Sequence, residues 1–130
     1  MTRRIRWWWV AFGVAVVVQL IALYAPSTPR VGPDIPNLDK LQHGLSFALV
    51  AGTGLLAGLR ARWFVPVLLA HAVLSEVVQG AFLPDRSGDV ADVVADVAGI
   101  AVGWALAFLV MRRRSASFSV AGPRPPADVR

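Results

Sequence analysis

Ionisable side chains are scarce in this 130-residue chain, and most of the acidic ones gather in two places. One cluster is Asp39-Lys40-Leu41-Gln42-His43. The other begins with Glu76 and Gln79, continues through Pro84-Asp85-Arg86 and ends with Asp89, Asp92 and Asp96. On a helix, Asp39 and His43 stand four apart and share a face. Asp89, Asp92 and Asp96 form a single stripe, which Gly99 and Gly103 extend. An imidazole among carboxylates is the equipment of a general base, and a neighbouring cation would clamp an anionic group. The candidate polar pocket is therefore Asp39, Lys40, His43, Glu76, Gln79, Arg86, Asp92 and Asp96. With no cysteine, thiolate chemistry and disulfides are excluded. No nucleophilic Ser motif is visible, and His71 and Glu76 do not have zincin spacing. No metal and no cofactor is expected. His71, one turn before Ser75, reads as an interhelical hydrogen-bonding group.

The elements that must position these residues follow from composition. The chain is 56% hydrophobic and 16% charged, against about 25% charged in an average soluble domain. Its mean hydropathy is +0.59. A membrane helix needs about 20 apolar residues, and four segments qualify: 5–25, 41–59, 63–82 and 90–111. Pro26 and Pro29 stop the first. The expected fold is all-α, a four-helix transmembrane bundle filling residues 1–111. Residues 112–130, rich in Pro, Ser and Ala, read as a disordered basic tail. A cleavable signal peptide is not expected, because the first apolar run exceeds a typical h-region and no small-x-small site follows.

Charge orients the bundle. Arg3, Arg4, Arg6, Arg60, Arg62, Arg112, Arg113, Arg114, Arg124 and Arg130 fall on one side of a four-span topology. Only Arg30, Lys40 and Arg86 fall on the other. The positive-inside rule places both termini in the cytoplasm, with Trp7, Trp8 and Trp9 near the inner interface. The net charge of +5 thus reflects topology, and no nucleic-acid partner is expected. The partners are membrane lipids.

Spans three and four form a hairpin in which Glu76 and Asp96 lie at similar depth, joined by His43 from span two. Each acid costs about 2.5–3.5 kcal/mol to insert at mid-span, so such groups face the bundle interior and pair. Arg86, Lys40 and His43 are the candidate partners. Small residues allow close helix approach. Gly54 and Gly58 in span two, with Ala95, Gly99, Gly103 and Ala107 in span four, supply such faces and could also support a homo-oligomer.

At these clusters the chain resembles the VanZ-like family of small integral membrane proteins. The resemblance covers roughly residues 38–110. It rests on D-K-x-x-H (Asp39, Lys40, His43), E-x-x-Q (Glu76, Gln79), P-x-R (Pro84, Arg86) and D-x-x-x-N-x-x-G (Asp92, Asp96, Gly99). Asp96 stands where the family has Asn. Gly44 replaces an aromatic after the His, and Phe47 occupies a position commonly held by Tyr. The resemblance implies a bacterial plasma membrane protein of the cell envelope, in a family whose namesake is associated with teicoplanin resistance.

Two functions remain open from the residues. One is a non-enzymatic pocket in the outer leaflet for an amphiphilic envelope ligand, such as a lipid headgroup, a lipid-linked wall precursor or a lipoglycopeptide. The other is a membrane enzyme acting on a lipid or lipid-linked substrate. Ion movement through the carboxylates is a third reading, but no continuous polar path reaches the basic end.

Overall fold

The protein is described by a computed structural model over residues 3–25, 37–83 and 88–119, and every regular element among them is an α-helix. Helix α1 is Arg3–Tyr24, α2 Leu38–Ala57, α3 Ala61–Phe82 and α4 Val90–Ser119. These match the expected spans to within a few residues, except at the end of α4. The stretch read as a disordered tail from residue 112 is helical as far as Ser119. Arginine and alanine favour a helix. The first breakers, Gly122 and Pro123, come later. Residues 120–130 lie outside the described region.

Three helices are long and apolar enough to cross a membrane: Ile5–Tyr24, Ala61–Phe82 and Val90–Arg114. The chain is a membrane protein. Helix α2 has 20 residues, but Asp39, Lys40, Gln42 and His43 occupy its first two turns, so its apolar run starts late. Helix α2 instead takes the centre of the bundle. It makes the most extensive contact with α4 and the next with α1, and buries His43, Phe47, Val50, Ala51, Gly54 and Leu55.

The α2–α4 contact is a backbone-to-backbone fit. A Cβ added to Gly99 would run into the carbonyl oxygen of Gly44, and one on Gly103 into that of Ala48. On the opposite helix, a Cβ on Gly44 would meet the Ala95 carbonyl oxygen at 2.9 Å. Apolar burial gives no drive between helices in lipid, so dispersion over closely matched surfaces must hold them. Beside this seam, Leu23, Phe47, Val50, Ala51, Leu68, Ala72 and Ile100 form the apolar core. The small residues considered for a homo-oligomer are largely used within the chain. Gly99 and Gly103 face α2, and Gly54 faces Phe64 and Phe12.

Connections and ends follow from local chemistry. Helix α2 closes with Gly58 at φ 106°, a left-handed conformation open to glycine at little cost. The Leu59 N–H then donates to the Gly54 carbonyl at 3.0 Å, the Schellman pattern. That turn, the start of α1 and the end of α4 share the Arg-rich end. There Trp9, Phe12 and Phe64 stack edge to face, and the Arg114 guanidinium lies 6.0 Å from the Trp8 ring centroid.

Replacing Gly99 or Gly103 with Ala should lower the unfolding free energy by about 1–3 kcal/mol, the usual range for overpacking. Gly13→Ala, where no atom lies within 4 Å of the added methyl, should be neutral or stabilising by up to about 1 kcal/mol. Denaturant titration of the detergent-solubilised variants separates the two classes.

Candidate functional site

Helix geometry builds the site at the end of the bundle opposite the arginines. Because α2 and α4 touch along their whole small-residue seam, Lys40 and His43 at the start of α2 face Asp92 and Asp96 at the start of α4. Helix α3 brings Glu76 and Gln79 to the same level. His43, Glu76, Gln79, Asp92 and Asp96 are all buried, and Asp96 is fully so. The chain thus places polar groups from three helices at one depth, as the sequence spacing predicts.

The groups form two layers. In the inner layer, His43 Nδ1 lies 3.3 Å from Asp96 Oδ1 and 3.6 Å from Glu76 Oε1. In the outer layer, Lys40 Nζ donates to Asp89 Oδ2 at 2.7 Å and to Asp92 Oδ1 at 3.0 Å. Lys40 was a candidate partner for Glu76 and Asp96; it pairs instead with the acids above them. Among the described residues, no Lys or Arg pairs with Glu76 or Asp96. Asp39 is exposed, with a carboxylate oxygen within 4.8 Å of ligand atoms of His43 and Asp92. Arg86 lies outside the described residues.

Asp89, beside the pocket, joins both layers. Its backbone N–H donates to Glu76 Oε2 at 3.0 Å. Its side chain accepts from the Ala91 N–H at 2.8 Å, capping α4 in the usual manner of an N-terminal Asp. It also accepts Lys40. The two acidic partners hold the Lys40 ammonium above its usual pKa. Lys40, with help from the Ala91 N–H, holds the Asp89 carboxyl below the usual carboxylate range.

One buried polar group went unread in the sequence, and a second polar group, His71, bonds between helices as expected, to a partner the sequence did not identify. Gln19 on α1 is buried, and its Nε2 has no hydrogen-bond partner among the described residues. Its only signal is that it interrupts a run of valines and leucines. The Tyr24 hydroxyl and His71 Nε2 are 3.2 Å apart, linking α1 to α3, and the His71 ring packs 5.6 Å from that of Phe47. His71 is thus an interhelical bonding group, apart from the pocket. The Ser75 hydroxyl donates to the Ala72 carbonyl within its own helix, so it is not poised as a nucleophile.

No family model, no curated protein and no solved structure matches this chain.

The outer layer carries a pH signature. Because the Asp89 pKa is depressed, its tie to Lys40 stabilises the fold above the unfolded value of about 3.9 and is lost as pH falls through the depressed one. Because the Lys40 pKa is raised, its contribution is complete below about 10.4 and is lost only as pH rises through the higher value. Carboxyl 13C NMR of Asp89 should give a midpoint below about 3.9, moving back up in Lys40→Met. An unmoved midpoint would mean that the ammonium does not hold Asp89.

Proposed function

We propose that this chain is a VanZ-like integral membrane protein of the bacterial cell envelope. It sits in the plasma membrane with both termini in the cytoplasm, and its acidic end forms a polar pocket in the outer leaflet. The pocket binds the headgroup of an amphiphilic envelope ligand: a lipid, a lipid-linked wall precursor or a lipoglycopeptide of the teicoplanin type. One observation carries this reading. Three buried, ionisable side chains converge from three helices, and most of their polar atoms lack hydrogen-bond partners among the described residues. A group kept in hydrocarbon at such expense marks a ligand or transport path more often than a structural tie.

The electrostatics narrow the ligand class. The described pocket holds Asp39, Glu76, Asp89, Asp92 and Asp96 against Lys40 and His43, and Lys40 is already committed to two acids. Acceptors therefore outnumber donors. A headgroup rich in hydroxyl or amino donors fits better than a bare phosphate, and the exposed apolar faces of α1, α3 and α4 would lie beside its acyl chain. The basic residues at the opposite end support the orientation. Two departures from the family pattern fall inside the bundle: Asp96 at the family's Asn position is in the pocket, and Phe47 is fully buried against His71.

A second reading, an enzyme acting on a lipid or lipid-linked substrate, is favoured by His43 lying between two carboxylates, an arrangement suited to a general base. With the Ser75 hydroxyl committed to Ala72, the attacking group in this reading is a water activated by His43.

Binding to the protein in nanodiscs tests the first reading. An acylated lipoglycopeptide should bind at least about tenfold more tightly than its deacylated form, and Glu76→Gln should weaken the binding of both without lowering membrane abundance. Equal affinity for the two forms would overturn the amphiphile assignment. In a deletion strain, a Glu76→Gln copy should fail to restore the wall-stress phenotype at wild-type abundance; full restoration would overturn the assignment of the pocket.

A further inference from the structure

The inner layer has the wrong metric for a set of hydrogen bonds. A charge-assisted N–H···O contact closes to about 2.7–2.9 Å, whereas His43 Nδ1 stands 3.3 Å from Asp96 Oδ1 and 3.6 Å from Glu76 Oε1. His43 Nδ1, Glu76 Oε1 and both carboxylate oxygens of Asp96 are buried without a hydrogen-bond partner among the described residues. These side chains are 0–6% exposed. They nevertheless point at one another, and one donor atom from each lies within 4.8 Å of the other two. Unpartnered lone pairs gathered around one point are what a cation binds.

We propose that His43, Glu76 and Asp96 bind one divalent cation of the zinc class. In a tetrahedral centre with metal–nitrogen and metal–oxygen bonds of about 2.0–2.2 Å, ligand atoms stand about 3.3–3.6 Å apart. An octahedral magnesium ion at about 2.0–2.1 Å sets neighbouring ligands about 2.9 Å apart. The two observed separations match the tetrahedral spacing. Imidazole with carboxylate suits zinc, and three protein ligands leave a fourth position for water or a ligand oxygen.

Charge gives the same result by another route. Two ionised carboxylates this close in low dielectric repel strongly, and the nearest ammonium, Lys40, is bound to Asp89 and Asp92. A divalent ion neutralises both acids at once and leaves His43 neutral, as a ligand must be. The outer layer then supports the site. The Asp89 N–H holds Glu76 Oε2 and leaves Oε1 turned inward, the role that second partners play around metal ligands. Asp96 also gains a purpose: the Asn of the family pattern would supply a neutral oxygen in place of a charged one. The site draws on the same unpartnered atoms as the amphiphile reading, but its test is separate: an ion bound with no lipoglycopeptide preference would leave it intact.

Full-length protein purified in detergent, stripped with chelator and dialysed against Zn2+ should retain about one ion per chain. Cobalt loading should give the intense visible absorption of a tetrahedral centre, and X-ray absorption of the zinc form should show a nitrogen and oxygen shell at about 2.0–2.2 Å. His43→Gln and Asp96→Asn should each weaken zinc binding at least about 100-fold. Asp39→Asn, outside the trio, should change it less than about threefold. Wild-type protein that retains no zinc overturns the proposal. So does tight binding that survives Glu76→Gln but is lost in Asp39→Asn/Asp92→Asn, which would place the ion in the outer layer. Where a variant does not fold, the cobalt spectrum and absorption shell of the wild type decide.

Discussion

The contact between the backbones of α2 and α4 is the constraint on which the rest of this structure depends. Gly44 and Ala48 on one helix meet Ala95, Gly99 and Gly103 on the other with no room for another carbon. Such a seam fixes axial register as well as distance, because a slide by one residue would put a side chain where a carbonyl now sits. Register is what matters at the acidic end. It sets Lys40 opposite Asp92 and, one turn further along each helix, His43 opposite Asp96. The polar site is therefore the direct extension of the small-residue seam.

That rigidity explains how charged groups can be kept inside at all. Two acids and a histidine in a low-dielectric interior would, in a loosely packed bundle, rotate towards headgroups or water. Here Asp96 is fully buried on a helix that cannot roll without breaking its fit to α2. Helix α3 is less tightly held, since its contacts with α2 and α4 are fewer than those between α2 and α4. Its Glu76 is instead held by one directional bond, from the Asp89 N–H at the start of α4. The two tightly packed helices thus hold two members of the trio, and the third arrives on the helix with more freedom.

Much of this was legible in the sequence because membrane helices obey simple rules. Length and hydropathy located the helices, and the i, i+4 and i, i+3, i+7 spacings put Asp39 with His43 and Asp92 with Asp96 on shared faces. The hairpin argument correctly set Glu76 and Asp96 at one depth. Pairing was harder to read, because spacing along one helix does not say which helix lies opposite. Lys40 seemed free to neutralise Glu76 or Asp96, yet the register sends it to Asp89 and Asp92. The central place of α2 was hidden for a similar reason: its polar first turns lower its apparent hydrophobicity, although His43 at their end is buried in the bundle. Gln19 is a single polar residue in an apolar run that no pattern marks, and His71 was legible as an interhelical hydrogen-bonding group while its partner Tyr24 was not. Helix α4 outran its apolar segment because hydropathy measures the fit to a membrane, while helix formation depends on propensity and continues through Arg112, Arg113 and Arg114.

The two ends of the bundle divide the work that charge does in this protein. At the basic end, arginines lie over aromatic rings, as Arg114 does over Trp8 and Arg62 over Trp63. These are arrangements that tolerate water and anchor a helix at an interface. At the other end, charge is taken out of water and ordered in two tiers. The Lys40 clamp forms the outer tier, where partial exposure lets a salt bridge cost little. The inner tier is the trio of His43, Glu76 and Asp96, where no described lysine or arginine supplies neutrality. An excess of acid in the inner tier would be a liability if the bundle had only to stay folded. It becomes useful when something positive or donor-rich is to be drawn into the end of a membrane protein, and Lys40 limits the rim's negative charge without reaching the acids beneath it.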